Sequence, residues 1–300
     1  MHVALTGSHG LIGTALTASL EADGHQVTAI TRGASPAGAG ATATWDPEAG
    51  TIDTAALTGV EAVVHLAGEG IASHRWTPEQ KHLIRDSRVK ATSLLAHTLA
   101  ELDDGPRVLV SGSAIGYYGS HRGDQLLDEA SSEGPDFLAA VCGLWEDATR
   151  PAAEAGVRVA TIRSGIVLSG KGGALAKQLL PFRLGLGGPV GRGGRWTSWI
   201  SLTDEVAAIR FLLDHPVSGP VNLTAPNPVT NADFTHALGR ALHRPTIVPI
   251  PTFVRHVPFG VGELADNLLL ASQRVTPKVL LGAGFTFEHP VIDEALSAEL

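Results

Sequence analysis

VALTGSHGLIGTAL, residues 3–16, decides how this chain is read. A short apolar run leads into Gly7, Gly10 and Gly13 and then into residues with helical spacing, so a buried strand is followed by a tight turn and a helix. Glycine at such a turn lets the backbone bend sharply and approach a pyrophosphate. The free amides and positive dipole end of the helix then meet its charge. The spacing G-x-x-G-x-x-G differs from G-x-G-x-x-G, and a plain glycine-rich turn is the bland alternative. The strand before it and the helix after it favour a nucleotide.

Working outward, HVALTG, QVTAIT, AVVHLAG, RVLVSGS and RVATIRSGIVL alternate with segments of three-four periodicity. Continuous apolar strands of this kind belong to a parallel sheet covered on both faces, so the expected fold is α/β, a Rossmann-type doubly wound sheet. Residues 33–50 are rich in Ala, Gly and Pro and read as a loop region around a third strand, ATATW. Beyond Ser169 the alternation thins into Gly- and Pro-rich loops with short helices such as NADFTHALGRAL (231–242). The expected division is a dinucleotide domain over about residues 1–168 and a smaller C-terminal substrate lobe over 169–300. The second strand ends ITRG, with Thr31 and Arg32 where an NAD-binding fold usually presents Asp or Glu to the ribose. A carboxylate there repels a 2′-phosphate and a guanidinium grips it, which favours NADP(H); an ordinary solvated arginine is the alternative.

Composition narrows the partners. A net charge of -8 without any long Lys/Arg block argues against nucleic acid and anionic membranes, leaving small molecules. Cys142 is the only cysteine, which excludes an intrachain disulfide and fits a reducing cytosol. No leader is evident and no stretch approaches the ~18 apolar residues needed to span a bilayer, so a soluble, untargeted, cytoplasmic protein is expected. The thirteen histidines never fall as H-x-x-x-H, H-x-H or H-E-x-x-H, so no metal site is expected. No serine lies in a G-x-S-x-G elbow.

With the glycine turn, LAGE (66–69), SGSAIGYYG (111–119) and RSGIVL (163–168) in order, the first half resembles an extended short-chain dehydrogenase/reductase. LAGEGIASHRWTPEQKHLIRDSRVKAT, FLAAVCGLWE, LLPFRLGLGGPVGRGGRWTSWISLTDEV and SQRVTPKVLLGAGFTF narrow this. They resemble the atypical subgroup labelled epimerase-family or cell-division-inhibitor-like, which carries its own C-terminal region of unknown function. The resemblance spans nearly the whole chain and implies NADP(H) binding. It assigns Gly7, Gly10 and Gly13 to the pyrophosphate, Thr31 and Arg32 to the 2′-phosphate, and Leu66 and Ala67 to the adenine-ribose side. Arg88 and Val167 fall on the nicotinamide half. Leu66, Ala67 and Val167 could equally be core packing. The helices after the fourth and fifth strands offer faces through which a homodimer could form.

Ordinary relatives use Asn, Ser, Tyr and Lys together, the lysine lowering the tyrosine pKa so that the phenol passes a proton. Matching those positions here gives Arg88, Ser113, Leu138 and Cys142. Leucine cannot titrate and a thiol cannot replace a lysine cation, so the usual Tyr-x-x-x-Lys pair is missing. The two tyrosines, Tyr117 and Tyr118, follow the fifth strand; either acts as a phenol or packs beneath the lobe. Glu69, after LAG at the same edge, is a second acid-base candidate or a structural carboxylate pairing with Arg88. Cys142, on an apolar helical face beside Val141 and Trp145, reads as an inert buried thiol.

In the lobe, Arg183, Arg192 and Arg195, with Lys171 and Lys177 upstream, either clamp a phosphate, carboxylate or nucleotide diphosphate or form a solvated loop. Asp204 starts a helix and reads as a cap. Two functions follow from these readings. One is an NADP(H)-dependent oxidoreductase or nucleotide-sugar epimerase-like enzyme with Ser113 orienting substrate and Glu69 or Tyr117 moving a proton; the other is a catalytically silent NADPH-binding sensor.

Overall fold

The computed structural model describes residues 1–33, 41–249, 261–268 and 270–300. The first half runs β1 (His2–Thr6), α1 (Leu11–Ala22), β2 (Gln26–Thr31), β3 (Thr42–Asp46), β4 (Thr51–Ile52), β5 (Ala62–His65), α2 (Pro78–Glu101), β6 (Val108–Ala114), β7 (His121–Leu127), α3 (Phe137–Asp147), α4 (Arg150–Glu154) and β8 (Arg158–Ser164). The second half runs β9 (Ile166–Leu168), α5 (Gly173–Arg183), β10 (Trp196–Thr197), β11 (Trp199–Ser201), α6 (Leu202–Asp214), β12 (Gly219–Leu223), β13 (Val229–Thr230), α7 (Asn231–Leu242), α8 (Val261–Leu268), β14 (Ser272–Val275), α9 (Lys278–Gly282) and α10 (Ile292–Glu299).

Eight strands form the main sheet in the order β12-β8-β6-β5-β1-β2-β3-β4. All neighbours pair parallel except β3 and β4. Strand order reverses between β1 and β5, which opens a crevice at their carboxyl ends. This is the doubly wound α/β architecture of a Rossmann-type domain.

Successive strand side chains face opposite sides, and β1 shows the consequence. Val3 and Leu5 join the core under α1 and α6, with Leu16, Leu20 and Ile209, whereas Ala4 joins the core under α2 and α4, with Leu95 and Ala152. Burial on both faces explains the unbroken apolar runs. A third core, including Leu175, Phe182, Trp199, Phe234 and Leu296, ties α5, α7 and α10 into the lobe above the sheet edge.

Local chemistry sets the helix starts. Thr77 accepts from the Gln80 amide ahead of Pro78 to begin α2, and Asp136 accepts from the Ala139 amide to begin α3. Thr230 and Asp233 form a capping box on α7. RSGIVL is two strands, because at Gly165 the chain leaves β8 and β9 pairs with β11 instead. The lobe is not separate along the chain. Residues beyond 168 supply β12 at the sheet edge and α6 on its face, because the edge strand β8 would otherwise leave its ladder unpaired.

Candidate active site

The glycine turn is shaped by close approach. Gly7 adopts φ +70°, and a Cβ there would lie 2.8 Å from the Leu66 carbonyl carbon, while one on Gly13 would strike the Gly7 carbonyl. Gly10 begins α1 without a side-chain cap, and no acidic residue stands in its first turn. The first amides of α1 are thus left for an anion from outside. Arg32 is exposed at the end of β2, and the Thr31 hydroxyl donates to the Gly33 carbonyl at 3.4 Å. Residues 34–40, which follow in the chain, lie outside the described residues.

Beneath the turn, the Thr6 hydroxyl accepts from the Leu66 and Ala67 amides at 3.0 and 3.2 Å. Its own hydrogen is then directed to His65 Nδ1 at 2.7 Å, which leaves His65 Nε2–H to donate to Thr92 Oγ1 at 2.9 Å. Burial, helped by the charge of Arg88, pushes the His65 pKa down to about 4, so the ring is neutral. Leu66 and Ala67 are half-buried and pack against opposite faces of the sheet. Val167 lies in β9 beside the first core.

A cavity of about 440 Å³ opens where the carboxyl ends of β6 and β8 meet the lobe. Arg88, Ser113, Leu138, Cys142 and Trp145 form one end of it. Arg88 donates to the Ile84 carbonyl at 2.9 Å and spreads its guanidinium 5.0 Å from the Trp145 ring centre. Burial lowers its pKa below the usual arginine value, yet a guanidinium remains a cation. Burial also pushes the Cys142 thiol up to about 12. With Leu138 beside it, this wall of the cavity neither donates nor accepts a proton near neutrality.

Ser113 is committed elsewhere. Its hydroxyl donates to Glu146 Oε1 at 2.6 Å, and Arg163 grips the same carboxylate through Nε and Nη2, each at 2.8 Å. Arg163 Nη1 donates to the Tyr118 hydroxyl, which donates to Asn222 Oδ1 at 2.6 Å. Burial alone would lower the arginine pKa, but the bond to Glu146 outweighs it and the value rises. Burial pushes the Tyr118 phenol up to about 12. Tyr118 is therefore a structural donor.

The remaining sequence candidates are dispersed. Tyr117 lies with its ring centre 3.4 Å from the Arg163 guanidinium and lines a separate, open recess with Glu133 and Asp147. Glu69 accepts from Gln80 Nε2 at 3.5 Å, and its amide bonds Ser87 Oγ; it lies near Arg88 but does not line the cavity. Of the lobe cations, Lys177 and Arg195 line the cavity, whereas Arg183, Arg192 and Lys171 do not. Asp204 is buried and accepts from Ser201 Oγ and the amides of Glu288 and His289, fastening the C-terminal stretch to α6. Sequence reasoning missed Glu146, Arg163 and His65. A charged residue inside an apolar helix or strand, as in FLAAVCGLWE and RVATIRS, is the signal of a buried pair.

Comparison with known proteins fits this geometry. The model of the NAD dependent epimerase/dehydratase family matches residues 3–143, and a domain of unknown function (DUF1731) matches 250–299. An epimerase family protein of Mycobacterium tuberculosis is 48% identical over 98% of this chain and 96% of its own. The chain belongs to the epimerase family. Within that family, an extended branch of the short-chain dehydrogenases/reductases, the crystal structure of human epimerase family protein SDR39U1 (isoform 2) with NADPH superposes with a TM-score of 0.89. It is 34% identical, and the match covers 100% of this chain and 99% of that one. A nucleoside-diphosphate sugar epimerase from Corynebacterium glutamicum is 41% identical with a TM-score of 0.80, covering 100% of this chain and 58% of that one.

Proposed function

We propose that this epimerase-family chain binds NADP(H) and acts as a reductase of small carbonyl compounds that works without a tyrosine proton donor. The observation carrying this reading is the uncapped, glycine-cradled start of α1, which opens at the same sheet edge as the cavity holding Arg88 and Ser113. The NADPH bound by the human relative supports the cofactor, as does Arg32 in place of an acid. Gly7, Gly10 and Gly13 would hold the pyrophosphate, Thr31 and Arg32 the 2′-phosphate, and Leu66 and Ala67 the adenine-ribose side; Arg88 and Val167 would border the nicotinamide half. When bound, NADPH supplies a hydride.

The chain's own residues then have limited roles. Ser113 offers lone pairs, because its hydrogen is held by Glu146. Arg88 supplies the fixed positive charge beside which a substrate oxygen gains electron density. Leu138, Cys142 and Trp145 keep water from the inner wall, and the final proton comes from solvent at the cavity mouth. A sugar epimerase has to take a proton from a hydroxyl, and this wall carries no base for it. Tyr117 and Glu69, outside the cavity, are left without a catalytic role.

The test has two stages. NADPH is expected to raise Tm more than NADH, and Arg32→Asp to reverse that order. Loss of absorbance near the ~340 nm nicotinamide band is then followed with aldehydes, ketones and nucleotide sugars. Consumption with simple carbonyls, reduced by Arg88→Met at unchanged Tm, supports a reductase. The inert Leu138–Cys142 wall also supports a second reading, a silent NADPH sensor, which tight binding with no consumption would establish.

A further inference from the structure

The cavity carries a charge pattern unlike the rest of the molecule. The protein has 30 acidic against 22 basic residues, yet no Asp, Glu or His is among the described residues that line the cavity. Its charged groups are Arg88 at the Ser113 end, and Lys177 and Arg195 from the lobe. Lys177 projects from α5, and Arg195 immediately precedes β10. Neither side chain has a hydrogen bond or ion pair among the described residues. A half-buried guanidinium left unpaired beside an apolar wall is poised for an oxyanion from outside.

The neutral polar groups show the opposite condition, because most are already engaged. Asn267 accepts from Ser120 Oγ and donates to the Glu263 carbonyl; Gln273 donates to the carbonyls of Ile115 and Gly119; Asn231 accepts from the Val190 amide. Ser164 donates to Glu205, and Ser198 to the Gln273 carbonyl. A hydroxyl-rich ring buried here would surrender its bonds to water and find few replacements. Between these groups the surface is apolar and aromatic, with Phe182, Leu186, Trp196, Phe234 and Leu268. The same 440 Å³ also has to admit whatever part of the cofactor reaches Arg88, which leaves space for a compact body.

We infer that the substrate is a compact, apolar or aromatic molecule carrying one oxyanion group, held by Arg195 and Lys177 with its apolar body lying towards Ser113. This rests on the NADPH reading only in giving the Arg88 end to the nicotinamide. It separates the chain from enzymes that take nucleotide-linked sugars. The lobe side chains set selectivity by charge, while the engaged amides reject polyols.

The test is binding by calorimetry to the full chain saturated with NADP⁺. Cinnamate and phenyl phosphate serve as oxyanion probes, cinnamamide as the neutral match and UDP-glucose as the hydroxyl-rich probe. At least one oxyanion probe is expected to bind about tenfold or more tightly than cinnamamide, as paired charge-assisted bonds require. Preference between the carboxylate and the phosphate identifies the oxyanion. Arg195→Gln with Lys177→Gln should erase the advantage while leaving NADP⁺ affinity and Tm unchanged. Equal binding of cinnamamide and both anions, no binding of either anion, tighter binding of UDP-glucose, or indifference to the double substitution would each overturn the inference. Failure of NADP⁺ itself to bind is a separate result and strikes the cofactor reading instead.

Discussion

Arg163 and Ser164 are neighbours on β8, and their side chains leave the sheet on opposite faces to meet two glutamates, Glu146 half-buried and Glu205 fully buried. On the α3 face, Glu146 receives two bonds from Arg163 and one from Ser113. On the α6 face, Glu205 receives one from Ser164 at 2.6 Å, and its second oxygen has no partner among the described residues. The paired site is a fixed charge network beneath the cavity wall. At the unpaired site burial dominates and pushes the Glu205 pKa up to about 8, so the group is largely neutral at pH 7. One strand therefore carries a structural ion pair and a protonated carboxyl a single residue apart, and both partner and depth differ: Glu146 has Arg163 and is half-buried, whereas Glu205 has no cation among the described residues and is fully buried.

The largest effect should come from breaking the pair. Arg163→Met strands Glu146 beside Ser113 and removes a donor from Tyr118; a stranded partner of a fully buried ion pair costs about 3–5 kcal/mol, and the half-buried Glu146 places the loss at the lower end, about 3 kcal/mol. Urea unfolding should show that loss, and Arg163→Met combined with Glu146→Gln should recover part of it. If the double variant is less stable than the single one, the two residues are not acting as a pair.

Glu205 should respond to pH with the opposite sign from an ordinary salt-bridged carboxylate. The folded state holds its proton to about pH 8, while the unfolded chain releases it near the ordinary glutamate value of 4.5. Stability therefore falls as pH rises through that window, by about 2 kcal/mol between about pH 5 and pH 7. Glu205→Gln keeps the shape and cannot ionise, so its stability should lack this decline and exceed that of the natural chain at pH 8. Parallel pH profiles for the two proteins would show that Glu205 has a counter-charge after all.

The same contrast explains what could be read in advance. Strands β1, β2, β5, β6 and β8 were legible because burial on both faces leaves long apolar runs, and the glycine turn because only glycine fits against the Leu66 backbone. Leu138 and Cys142, which line the cavity, were legible as side chains that do not pass a proton near neutrality. Long-range polar pairing was not visible. Ser113 meets Glu146 and Glu146 meets Arg163 across 33 and 17 residues of chain, and nothing local to RSG or WED states that they touch. Tyr117 looked like a candidate because position after β6 suggests the cavity, but it turns to the Arg163 guanidinium instead. The lobe misled in another way: α6 and β12 read as part of it, yet they complete the sheet, and pairing partners are chosen by the edge of β8 rather than by sequence distance.

The smallest effect should come from Ser113→Ala, and its size tests how the paired site is built. Deleting the hydroxyl removes one bond to Glu146 Oε1, but Arg163 Nε still reaches the same oxygen at 2.8 Å and Nη2 still reaches Oε2. The carboxylate is not stranded, so the cost should be about 1 kcal/mol, that of a single hydrogen bond whose acceptor remains satisfied. A loss as large as that of Arg163→Met would mean that the serine holds the carboxylate in place and the arginine follows. In that case the charge network would be organised from the cavity side, and a ligand competing for Ser113 would loosen Arg163, Tyr118 and the edge of the sheet behind them.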